Sequence, residues 1–395
     1  MRRPHATHVF SVVVTSAGYL GGARSTLDGV IFRLVRTVLR LLTALPVPVK
    51  RLLAGRVVRD GGQRLDVDIQ LLLRVFGAAA RWGEAPPLTE QRRLTDAAAD
   101  LAEQVAHGVV VERATIPTPD GRPLAACVYT PQDAAHAPSG VLVFLHGGGF
   151  VLGSLVSGDP LCRTLAQQAG ARVVSVDYRL APEHPFPAGL SDAVTALRHV
   201  LAGAAADGIP VAVGGDSAGA NLALTAAHEL ARAGEPTAAF VLAMYPVTDV
   251  ERHRGSRETF ATGFGLRADE IDAFEHAYLP DGSDPIRSTG LLEADDLALM
   301  PPTYVATAGF DPLRDEGEEL ADALVAAGVP TIARRFPGLV HGYAGFNGLS
   351  RAAHDAVLDA ASALRAGLAL TVRPGSGTPR WGAPATGKAQ PWPSP

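Results

Sequence analysis

Short apolar runs alternate along most of the chain with longer stretches in which apolar residues recur every three to four positions. "GVLVFLHGGG" is a buried strand running into a glycine-rich loop. "ARVVSVDYRLAPEHPFPA" is a strand followed by a loop whose prolines forbid a helix. "PVAVGGDSAGANLALTAAHELARAG" reads as strand, sharp turn and helix. "AAFVLAMYP", "PPTYVATAGF" and "TIARRF" are further strands. "AGLSDAVTALRHVLAGA", "GEELADALVAAG" and "HDAVLDAASALRAGL" carry helical spacing. "VVVERATIPTPDGRPLAACVYTP" alternates on either side of Asp120-Gly121 and predicts a hairpin. Strands that alternate with helices imply an α/β fold with a mostly parallel central sheet and helices on both faces. In such sheets function gathers at the carboxyl ends of strands.

The pattern divides the chain into three zones. Residues 1–108 are helical in pattern and basic at the start, an N-terminal extension with cap helices. Residues 109–370 form the α/β catalytic unit, with a second cap segment expected near 250–280. Residues 371–395 are rich in Pro and Gly, lack periodicity and are expected to be disordered, because they cannot bury enough apolar surface to offset ordering entropy.

Composition narrows the function. The net charge of −5 argues against a general nucleic-acid binder. Cys127 and Cys162 form no CxxC pattern, so neither a disulfide scaffold nor a structural zinc site is expected. No apolar run is long enough for a membrane span. The opening "MRRPHATHVFSVVVTSAGYLGGA" has two arginines and an apolar stretch, but Thr15, Ser16 and Gly18 break that stretch. It reads as a loose extension rather than a signal peptide. The expected location is cytoplasmic, with membrane-associated and secreted forms as alternatives.

The chemistry centres on Gly215-Asp216-Ser217-Ala218-Gly219, a G-x-S-x-G between strand and helix. A turn this sharp crowds the flanking residues, so glycine is needed there, and it lifts the serine hydroxyl out of the sheet. A serine nucleophile needs a base, which is oriented in turn by an acid. Downstream, "TYVATAGF" ends at Asp311, and "PGLVHGY" places His341 on a loop. Asp315 and Glu316 also follow Asp311 closely, but they suit the first turn of the next helix, where a carboxylate complements the positive helix end. Asp311 is therefore the expected acid. His184 lies in a proline-rich loop, and His199, His228, His276 and His354 fall in helical patterns. "HGGGF" offers backbone N–H groups for an oxyanion, here assigned to Gly147 and Gly148 together with Ala218. A phosphate-binding loop would need a Lys or G-x-G-x-x-G, and neither is present.

"HGGGFVLGS", "DYRLAPEHPFPA", "GDSAGAN", "DPLRDEG" and "HGY" occur together and in this order. In this the chain resembles carboxylesterases of the hormone-sensitive-lipase family, bacterial family IV, over residues 60–370. The resemblance implies an α/β-hydrolase fold with a helical cap built partly from the N-terminal segment. It implies hydrolysis of short to medium acyl-chain esters without cofactor or metal. The family's nucleophile, acid and base correspond to Ser217, Asp311 and His341. Ala220 stands where glycine is commoner. "DYRLAPEHPFPA" is expected to hold the floor of the site, and Asp216 matches the family without an assigned role. A lipase acting on longer chains and an amidase are alternatives. A non-catalytic receptor on the same fold would be expected to lack the base, which is intact here. A small-molecule ester is the expected partner, nucleic acid is not, and a homodimer is allowed.

"STLDGVIFRLVRTVLRLLTALPVPVKRLL" is basic and amphipathic, with Arg33, Arg36 and Arg40 on one helical face. Residues 1–60 carry ten Lys or Arg against two Asp. One reading is peripheral contact with anionic lipid. The preferred reading is a cap helix whose apolar face covers the acyl pocket.

Overall fold

The computed structural model describes residues 26–79, 86–102, 108–132, 138–250, 252–279 and 296–370. The opening extension and the Pro/Gly-rich tail lie outside the described residues. The frame is an eight-stranded sheet of β3 (Val109–Pro117), β4 (Pro123–Pro131), β5 (Val141–Leu145), β6 (Arg172–Val176), β7 (Val211–Asp216), β8 (Phe240–Met244), β9 (Thr303–Phe310) and β10 (Thr331–Val340). Their spatial order is β10-β9-β8-β7-β5-β6-β4-β3. β5 through β10 run parallel, while β3 and β4 form the predicted hairpin and β4 joins β6 antiparallel. A small antiparallel pair, β1 (Arg59–Asp60) and β2 (Gln63–Arg64), precedes them.

β5 shows why the central strands read as unbroken apolar runs. Successive side chains point to opposite faces, and here both faces are covered. Val143 and Leu145 join one core with α6 (Ala188–Ala205), α7 (Ala218–Arg232) and α10 (Arg314–Ala326). Leu142 and Phe144 join the other with α5 (Leu155–Ala169) and α11 (Arg351–Leu370).

β10 runs further than "TIARRF" suggested. Pairing continues past an irregularity between Phe336 and Val340, and Val340 pairs with Phe310. Pro337 removes a donor, which an edge strand tolerates at a bulge. The result is that β9 and β10 end side by side, each one residue before a predicted site residue.

The helices over these strand ends come from two places. The first set is α1 (Thr26–Ala44), α2 (Val47–Ala54), α3 (Val67–Ala79) and α4 (Leu88–Ala102). The second is α8 (Gly255–Thr259) and α9 (Ala268–Tyr278). Arg92 on α4 fastens the first set to the loops below. Its guanidinium donates to Val151 O and to Ala181 O, each at 2.9 Å, and pairs with Glu183 through both nitrogens of its fork.

Candidate active site

Ser217 sits between β7 and α7 with φ 53° and ψ −121°, in the strained left-handed region. The glycines on either side permit this. A Cβ on Gly219 would lie 2.0 Å from Leu145 O, and one on Gly215 would lie 2.4 Å from the same oxygen. The turn is thus pressed against the end of β5, and the serine side chain projects into a cavity of about 340 Å³.

The loops after β9 and β10 bring two partners to it. The Ser217 hydroxyl donates to His341 Nε2 at 2.8 Å, and His341 Nδ1–H donates to Asp311 Oδ2 at 2.9 Å. The donor roles follow from the network, since a carboxylate can only accept. Asp311 is buried, and its Oδ1 accepts from Leu313 N at 2.8 Å. The Tyr245 ring meets the His341 ring edge-on at 5.1 Å and limits its rotation. Asp315 and Glu316 lie in the first turn of α10 and serve elsewhere. Asp315 Oδ2 accepts from Ser256 N, and Glu316 Oε1 accepts from Thr248 N, each at 2.8 Å.

The glycine loop departs from expectation at one position. The Gly147 N–H points at Asp216 and donates to its Oδ1 at 2.8 Å. It is therefore not a free donor toward the cavity, which corrects the assignment made from sequence. Gly148 and Gly149, at φ 125° and 61°, border the cavity, and their N–H groups have no acceptor among the described residues. Ala218 opens α7, where backbone N–H groups lack intrahelical acceptors. Gly148, Gly149 and Ala218 thus keep N–H groups without an acceptor among the described residues, in a loop and a helix start that border Ser217. The third glycine of "HGGGF" was the signal that could have found Gly149.

Several buried groups hold this loop. Burial raises the Asp216 carboxyl pKa, against the hydrogen bond from Gly147 that lowers it. Tyr178, from "DYRLAPEHPFPA", donates its hydroxyl to His146 O at 2.7 Å and stacks on the His146 ring at 4.4 Å. Burial pushes the His146 pKa down to about 4, so the ring is neutral and its Nδ1–H donates to Gly147 O at 2.9 Å. Above the loop, a Cβ on Gly149 would meet the Phe274 ring of α9 at 2.3 Å. Phe150 stacks on Tyr278 of the same helix with centroids 3.9 Å apart.

The remaining cavity wall is largely apolar. Leu73 of α3, Ala98 and Ala99 of α4, Leu161 of α5, and Ile271 and Phe274 of α9 contribute to it. Glu270 adds a carboxyl whose pKa burial raises to about 7.

Residues 142–345 match a family model described as the alpha/beta hydrolase fold. The chain is 39% identical to the carboxylic ester hydrolase LipN of Mycobacterium tuberculosis, over 83% of this chain and 90% of that one. It is 33% identical to an ethyl acetate hydrolase of Pseudomonas putida, over 76% of this chain and 98% of that one. Among solved structures it resembles an ester hydrolase from the metagenome of Lake Arreo, complexed with a bipyridine phosphonate derivative. That match has a TM-score of 0.71 and 36% identity, over 76% of this chain and 98% of the other.

Proposed function

The chain belongs to the α/β-hydrolase family, within its hormone-sensitive-lipase-like carboxylic ester hydrolases, and from that membership we propose that it cleaves short to medium acyl esters through an acyl-enzyme on Ser217. The observation that carries this reading is the hydrogen-bonded series Ser217–His341–Asp311 at the base of an apolar cavity.

In the first half of the reaction Ser217 Oγ attacks the ester carbonyl carbon as its proton passes to His341 Nε2. Asp311 stabilises the imidazolium and keeps Nε2 directed at the serine. Negative charge gathers on the former carbonyl oxygen, and the Gly148, Gly149 and Ala218 N–H groups stabilise it. The C–O bond to the alcohol then breaks, and the alcohol leaves with the proton from His341. In the second half His341 takes a proton from water, the hydroxide oxygen attacks the acyl carbon, and the acid is released as Ser217 regains its proton. No cofactor or metal enters these steps.

The apolar wall favours an acyl group over a polar one. Each buried methylene contributes about 0.8 kcal/mol until the cavity is full, and we place the optimum at about four to eight carbons. The similarity to a protein named ethyl acetate hydrolase agrees with short rather than long acyl chains, though acetate itself lies below this range.

The reading is tested with a phosphonate ester and intact-protein mass spectrometry. One adduct on Ser217 is expected, together with loss of activity toward chromogenic esters. The Ser217→Ala variant should take no adduct and lose turnover by roughly 10⁵-fold. A folded Ser217→Ala enzyme with near-wild-type turnover would overturn the assignment.

A further inference from the structure

We propose that the outer face of α1 and α2 seats on an anionic lipid surface. The apolar positions of α1 fall into two stripes. Val35 and Leu39 point inward, and Leu39 is buried in the core that also holds Leu65, Ile69 and Leu72. Leu34, Val38 and Leu41, at i, i+4 and i+7, share a second face turned to the outside, where Leu34 is 62% and Leu41 64% exposed. α2 repeats the pattern. Its Lys50 and Ala54 are buried, while Val49, Leu52 and Leu53 face out, Leu52 at 82% exposure. Lys50 donates to Thr43 O at 3.1 Å and pairs with Asp68 of α3, so the two helices are tied on their buried side and leave these outer positions uncovered.

Isolated exposed leucines are ordinary, but seven large apolar side chains exposed within twenty residues call for a partner. The expectation that this segment covers the acyl pocket holds only at one remove. Among the described residues, α1 and α2 contribute nothing to the cavity wall. α1 packs instead on α4, whose Thr95, Ala98 and Ala99 line it.

Charge selects the occupant. Between residues 29 and 59 the chain has seven Lys or Arg and no acid, and with Lys50 buried against Asp68 six arginines remain, although the whole chain carries a net charge of −5. Arg51 and Arg56 are exposed and make no ion pair among the described residues. Apolar side chains framed by basic ones suit an interface of acyl chains beneath anionic headgroups. No described helix is long and apolar enough to cross a membrane, so the contact lies in the plane of the surface.

The test is flotation of the full chain with phosphatidylcholine vesicles, with and without phosphatidylglycerol. Binding is expected only with phosphatidylglycerol. It should weaken with salt as the screening length falls from about 30 Å at 0.01 M to about 3 Å at 1 M. Arg51→Glu with Arg56→Glu, and separately Leu41→Glu with Leu52→Glu, should each lower vesicle affinity by about tenfold or more. Both variants should keep wild-type turnover of a soluble ester, which also reports that they fold. Absence of flotation at low salt would overturn the proposal. So would Leu41→Glu/Leu52→Glu chains that float as wild type but change from dimer to monomer, which would mark the face as a self-association surface.

Discussion

Asp216 Oδ1 accepts the Gly147 N–H at 2.8 Å, so the residue before the nucleophile holds the loop that follows β5. The bond adds a side-chain link between two strand ends already paired at Leu145 and Gly215. Gly148 and Gly149 follow directly on the glycine that this carboxylate anchors.

Asp216→Ala should therefore lower kcat by about 10- to 100-fold with little change in KM, because misaimed donors weaken only the charged transition state. Asp216→Asn retains an acceptor oxygen and should recover most of the loss. Steady-state kinetics on one chromogenic ester decides. Equal losses in both variants would show that charge, not loop position, is what the residue supplies.

Asp311→Asn should lower turnover by about 10³- to 10⁴-fold, because an amide stabilises neither the imidazolium nor the required tautomer. Asp315→Asn should cost less than about tenfold, since Asp315 faces Ser256 rather than His341. The reverse ranking in folded variants would move the acid to Asp315.

Stability should fall as pH rises. Burial raises the Glu316 pKa to about 8 and that of Glu270 to about 7, against an ordinary value of 4.5. Between 4.5 and these values the folded chain binds more protons than the unfolded one. The stabilisation is thus full below pH 4.5 and is lost as pH passes through 7 to 8. Denaturant midpoints measured from pH 5 to 9 should decline. Glu316→Gln keeps an acceptor for Thr248 N, and it should flatten the decline and gain on the order of a few kcal/mol at pH 9. A variant whose profile parallels wild type would remove Glu316 as the cause.

Phe274→Ala should move the acyl optimum toward longer chains, since the ring closes part of the cavity wall. Hydrolysis across an acyl series reads this directly. Highest wild-type activity on long-chain triglyceride emulsions would contradict the short-chain reading itself.

Much of this site was legible in the sequence because its parts are local. Ser217 has a glycine two residues away on each side, where the turn leaves no room for a Cβ, and Asp311 and His341 each follow a strand closely. What was not legible depends on contacts between distant segments. Gly147 and Gly149 are alike in sequence, and only the approach of Asp216 to one and Phe274 to the other separates them. Likewise, "FRLVRTVLRLL" reveals amphipathicity but not which of its two apolar stripes faces the core. That was settled by the packing of Leu39 among residues of α3.

Arg92 carries a consequence for exchange of parts between relatives. It joins α4 to the carbonyls of Val151 and Ala181, one beyond the glycine loop and one beyond β6. The cap is therefore keyed to its base, and a chimaera that imports another enzyme's cap must also import a cation of this reach. Without one, two carbonyls lose their donor and Glu183 its counter-charge, beside the glycine loop that follows β5. In this protein, substrate range is therefore changed more readily by substitution within the cap than by exchanging the cap whole.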